Sequence, residues 1–191
     1  LEEEGVELKV KFIIAHLELI QDEDLKRLNR HGIYVNVTPH WVTGLGNPVM
    51  ETLRLPMDLY RLSYRYNTYW KTGVNVSFGA DSTILPGIFG EESWRPFYGW
   101  EIGMTRLQIG DTDISHVDHL DERLTLEQMI QGYTINSAKQ CDWDKVAGSI
   151  EVGKSADMMV LKENPFEIPV ERIHELLPEF VLFKGDVIYR G

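Results

Sequence analysis

Three short apolar runs, KVKFIIAHL (9–17), IYVNVTP (33–39) and VNVSFGADS (74–82), most constrain what this chain can fold into. Each has the length of a strand, and near-continuous apolar character suits strands buried on both faces of a parallel sheet. Between the first two, QDEDLKRLNRHG (21–32) opens on acids, spaces Leu25 and Leu28 three apart and reaches Gly32. That pattern predicts an amphipathic helix stopped by a C-terminal glycine. The second and third runs are joined by 40–73, whose later, aromatic-rich part reads as helical up to Gly73. Strand, helix and strand in this order predict an α/β fold with right-handed crossovers in a parallel sheet.

Beyond Asp81 the glycines and prolines of STILPGIFGEESWRPFYGW (82–100) argue for an irregular loop at the carboxyl edge of that sheet. GWEIGMTRLQ (99–108) and TLEQMIQGYTINSAKQC (125–141) read as helices, the second with Thr125 as N-cap and Gln128 three residues on. The segment between them, 109–123, is polar and irregular. From Gly148 the pattern changes to short strands with a hairpin turn at FKGDV, a small β unit. The expected organisation is an α/β part over 1–147 and a β unit over 148–191.

Composition narrows the partners. A net charge of -11 with no run of Lys or Arg argues against nucleic acid and anionic membrane surfaces. No stretch approaches the roughly 20 apolar residues of a membrane span. The expected partner is therefore a small molecule, and the expected setting cytoplasmic. Cys141, the one cysteine, has no companion thiol for a disulfide or a metal cluster and reads as a buried structural thiol.

Two candidate ligands stand where parallel α/β folds gather their chemistry. His16 ends the first apolar run and Asp81 follows the third through Gly79 and Ala80. An imidazole and a carboxylate at neighbouring strand ends can hold a divalent ion and move a proton. Read singly, His16 also fits a structural histidine, and GADS also fits a turn or cap. His40 and Trp41, after the middle run, are candidates for substrate contact, with loop packing as the alternative. Trp94, Phe97 and Trp100 could line a substrate mouth or pin their loop. His116 and His119 have chelating spacing inside a solvated segment. His31 precedes the helix-stopping glycine, where a cation suits the helix dipole. His174 reads as a surface residue, and Arg65 with Tyr60, Tyr64, Tyr66 and Tyr69 as helix packing.

FIIAHLELIQDEDLKRLNRHGIYVNVTPHW, GVNVSFGADSTI and, above all, LTLEQMIQGYTINSAKQCDWDKVAGSIEVGKSADMMVLKENPF resemble the metal-dependent amidohydrolase superfamily. The likeness covers nearly the whole chain. It points to the amidohydrolase 3 branch, with its N-substituted formamide deformylase-like and exoenzyme-regulatory-protein-like members. Its most specific stretch is AGSIEVGKSADMMVL, where a tight turn and Asp157 lead into the β unit.

The resemblance implies the C-terminal part of a (β/α)8 barrel, about three parallel strands with helices, and the β unit of the family's composite domain. It implies His16 as a metal ligand on the sixth barrel strand and Asp81, after the eighth, as metal ligand and general base and acid. The implied cofactor is a divalent metal, zinc in one or two copies, activating water against the carbonyl of a small amide. The family's other ligands, a His-x-His pair, a bridging Lys or acid and a later His, have no counterpart here. The metal site is thus expected to be incomplete, and this polypeptide alone inactive. It would work by pairing with the missing N-terminal half, within an oligomer, or as one subunit of a split enzyme. The rival expectation is a noncatalytic regulatory or binding module that keeps the fold.

Overall fold

The computed structural model describes residues 10–43, 56–81, 94–117 and 119–191. Strands β1 (Ile13–Ala15), β2 (Tyr34–Val37) and β3 (Val76–Phe78) form a parallel sheet in the order β1-β2-β3. Ala15 pairs with Asn36 and Asn36 with Ser77, so the sheet is in register to its carboxyl edge. The alternation of strand and helix predicts this sheet, and the sheet is there.

Helix α1 (Asp22–Arg30) carries Asp22, Glu23 and Asp24 in its first turn and Arg27 and Arg30 in its last. Both sets complement the helix dipole. Leu25 and Leu28 are buried beneath it, a contribution of about 1.5–3 kcal/mol each. Gly32, at φ +61, accepts the left-handed turn that ends the helix. Two short helices, α2 (Met57–Tyr60) and α3 (Tyr66–Lys71), make up the aromatic segment before β3. Tyr64, Tyr66 and Tyr69 are buried in the core as packing residues, and Arg65 pairs with Asp22 at 2.7 Å.

The first strand departs from expectation. β1 is an edge strand with Ile13 44% exposed, not a strand buried on both faces. Apolar character states that a residue can be buried, whereas burial needs a neighbour, and β1 has a paired strand on one side only among the described residues.

Pro96 also reverses its sequence reading. It opens helix α4 (Pro96–Thr105) at the first turn, where its missing N–H would have no partner anyway. Much of the expected loop, 82–93, lies outside the described residues. The expected single helix 125–141 is two, α5 (Leu126–Tyr133) and α6 (Ile135–Gln140), broken at Thr134. The capping box of Thr125 and Gln128 is present at its start.

The β unit holds β4 (Met158–Leu161), β5 (Pro178–Phe183) and β6 (Asp186–Arg190), paired antiparallel in that order. Lys184 and Gly185, at φ +52 and +89, form the hairpin turn predicted at FKGDV. Asp157 Oδ1 accepts the Lys184 N–H at 2.7 Å, tying the signature aspartate to that turn. A 3-10 segment, Val170–Glu175, lies against α4 and contributes Ile173 to the same core as the parallel sheet, which Leu176 joins just beyond it.

Two further expectations are corrected. Cys141 is exposed, as the C-cap residue just past the end of α6 at Gln140. His174 is partly buried, its Nδ1 2.7 Å from Oε2 of the buried Glu101. The 3-10 segment turns it inward, which no local pattern announces.

Candidate metal centre

His16 follows the last residue of β1, and its N–H still donates to the Asn36 carbonyl at 2.7 Å. The backbone then leaves the sheet sharply, with His16 at φ +69 and Leu17 at φ +38. Two successive non-glycine residues at positive φ cost on the order of 1–3 kcal/mol each and need a surrounding that imposes them. Tyr69 Oη donates to the Leu17 carbonyl at 3.2 Å, and the Tyr64 N–H donates to Glu18 at 2.7 Å. The aromatic segment thus holds the turn that aims His16.

Asp81 stands at the same edge. The ladder continues one residue past β3 through the Gly79 N–H to Val37, 3.0 Å, and Asp81 follows at φ +47. A side chain at Gly79 would meet Asn36 Oδ1 at 3.4 Å, in van der Waals contact. β2 separates the two strands, so their axes are about 10 Å apart, with His16 and Asp81 following the two outer strands of the order β1-β2-β3.

The turn after β2, Pro39–Val42, sits between them. His40 is wholly enclosed there, with Cε1 3.3 Å from where a side chain at Gly99 would begin. Among the described residues its surroundings are those of packing at the α4 contact. Trp41 stacks on His16, ring centroids 4.9 Å apart and planes 20° apart. Trp94 is 64% exposed just ahead of α4 and shares no ring contact with His16 among the described residues. Phe97 and Trp100 are buried against one another, pinning α4 and not lining a mouth. His119 packs on Tyr60 at 5.9 Å, and the side chain of His116 lies outside the described residues.

The donor chemistry fits part of a metal centre. His16 Nδ1 is buried and makes no hydrogen bond among the described residues, a cost of about 1–3 kcal/mol for a polar atom that nothing satisfies. His16 and Asp81 supply one nitrogen and one carboxylate. Among the described residues no group of three His, Cys, Asp or Glu is placed to hold an ion. Catalytic zinc takes three protein ligands as a rule.

Several buried polar groups escaped the sequence reading. Glu101 accepts from the His174 N–H at 3.0 Å as well as facing its ring. Glu122 accepts the Thr68 N–H at 2.7 Å and its hydroxyl. Tyr133 has a buried hydroxyl with no partner among the described residues, and burial raises its pKa. The one available signal was a lone carboxylate in the apolar helix GWEIGM.

The model of the amidohydrolase family matches residues 2–189. The "Putative amidohydrolase YtcJ" of Bacillus subtilis (strain 168) is 24% identical over 176 residues, covering 92% of this chain and 31% of that protein. Among solved structures, an uncharacterized metal-dependent hydrolase from Pyrococcus horikoshii OT3 aligns with a TM-score of 0.67 at 20% identity. That alignment covers 83% of this chain and 30% of the other. An adenosine deaminase from Xanthomonas campestris with bound zinc aligns with a TM-score of 0.59 at 15% identity, covering 93% of this chain and 37% of the other. Likeness at such identity speaks to the fold, and the chain spans about a third of the length of these proteins. No helix among the described residues is long and apolar enough to cross a membrane. A family model running almost from end to end, over a parallel sheet with His16 and Asp81 at its carboxyl edge, settles the kinship: the chain belongs to the amidohydrolase family.

Proposed function

We propose that this chain forms the late-strand part of a (β/α)8 barrel hydrolase that cleaves a carbon–nitrogen bond of a small, non-peptide amide. The observation that carries the reading is the convergence of His16 and Asp81 on one sheet edge, with the buried His16 Nδ1 left unsatisfied. A divalent ion, zinc in one or two copies, would bind His16 and Asp81 and supply Lewis-acid polarisation and an acidified water. Asp81 then works through its carboxylate oxygens, taking a proton from the attacking water and passing it to the departing nitrogen. The backbone turn at His16 fixes where the imidazole enters the site. The turn after β2 follows the middle strand at the same sheet edge.

The deciding experiment substitutes Asp81→Asn and His16→Asn in the polypeptide that carries the complete ligand set. Asp81→Asn is expected to abolish amide hydrolysis with the fold retained, and His16→Asn to lower bound metal. Wild-type turnover by a metal-loaded Asp81→Asn enzyme refutes the assignment.

A second reading has its own observation, the absence of a third ligand among the described residues. It makes the 191-residue chain a binding module or one subunit of a split enzyme, inactive and weak in metal binding by itself. Metal analysis of this chain separates the readings: tight stoichiometric zinc with turnover in a monomer excludes the module.

A further inference from the structure

Metal-bound histidines are ordinarily oriented by a hydrogen bond from the second ring nitrogen to a carboxylate or carbonyl. No hydrogen bond orients the His16 ring from either nitrogen among the described residues, and Nδ1 is buried without a partner there. Its backbone is held by the Asn36 carbonyl at 2.7 Å, but that contact leaves the ring free to turn about its own side-chain bonds. What lies against the ring is Trp41, at 4.9 Å and 20°. A near-parallel stack stops the imidazole from rotating edge-on into the indole, while the indole itself covers neither nitrogen in the ring plane.

The indole is itself well placed to do this. Trp41 lies in the Pro39–Val42 turn, whose Trp41 N–H donates to Thr38 at 3.1 Å and whose Pro39, His40 and Val42 are buried. One indole face is covered by His16, so Trp41 is poorly suited to the substrate contact that its position in the sequence suggests. We propose that Trp41 is a positioning residue, setting the ring plane of His16 by stacking in place of the missing hydrogen bond. This rests on the reading of His16 as a metal ligand.

Zinc titration of the polypeptide that carries the complete ligand set, followed at the His16 ring protons by NMR, tests both layers. In the parent chain the His16 ring protons are displaced upfield by the indole and respond to zinc; His16→Asn removes the response. Trp41→Leu is expected to abolish the upfield displacement and weaken zinc binding about tenfold, the scale seen when an orienting partner is lost. Trp41→Phe, which keeps an aromatic face and guards against misfolding, is expected to retain most of both. Unchanged zinc affinity in folded Trp41→Leu overturns the positioning role while leaving the ligand reading intact. A zinc response that survives His16→Asn, or is absent from the parent, overturns the ligand reading and the proposal with it.

Discussion

Replacing Gly99 by alanine tests the contact between α4 and α5. The added methyl would come closer than 3.0 Å to the Tyr133 hydroxyl oxygen, 3.1 Å from its Cζ and 3.3 Å from His40 Cε1. In an open helix this exchange gains about 0.5–1 kcal/mol, because glycine loses more backbone entropy. Here the ring cannot retreat freely, since it lies against Phe78 at 5.5 Å. Overpacking of this kind costs about 1–3 kcal/mol, so the steric term wins and the net loss is about 1–2 kcal/mol. Tyr133→Phe removes the offending atom and leaves its nearest neighbour at 3.1 Å. The double variant should therefore recover most of the loss. By itself Tyr133→Phe should be nearly neutral, because its buried hydroxyl has no partner to lose among the described residues. Gly103 supplies the contrast: its added methyl meets Met129 Sδ at 2.6 Å, a flexible thioether that can move. Urea unfolding followed by circular dichroism gives all four values, with constant slopes as the check on a common unfolded state. If Gly99→Ala is as stable as the parent, or Tyr133→Phe fails to rescue it, the reasoning is refuted.

Three other outcomes follow from buried polar groups. Glu122→Ala orphans the Thr68 amide and hydroxyl and should cost about 2 kcal/mol by urea midpoint. His174→Ala takes the ring partner from Glu101, which is 4% exposed. A loss of about 2 kcal/mol is expected, more than the about 0–1 kcal/mol of an exposed pair; a change within error would show that the His174 N–H alone suffices. Burial raises the Tyr64, Tyr66, Tyr69 and Tyr133 hydroxyls above the ordinary value. Because the folded state holds these protons more tightly, their contribution is full below about pH 10 and is lost as pH rises beyond it. Tyrosinate absorbance and loss of helical signal should then rise together; ionisation of these tyrosines at ordinary pKa in the folded chain would contradict it.

What the sequence determined by itself was local. The acids, paired leucines and Gly32 specify α1, the Thr125 and Gln128 pair starts α5, and Lys184–Gly185 turns the hairpin, because each depends on residues a few positions apart. The strand and helix order likewise carried the parallel sheet, and strand ends carried His16 and Asp81 to one edge. Tertiary structure alone decided which groups meet. Trp41 on His16, Glu101 against His174 and Tyr133 beside Gly99 join residues distant in the chain. So do the burial of His40 and the exposure of β1, since both depend on what else packs nearby. The break at Thr134 belongs here too, as does the approach of α5 at Gly132 so close to Phe78 that no side chain fits between them. Periodicity records a residue's preference for burial or turning, whereas a site is made by the neighbours that long-range packing delivers.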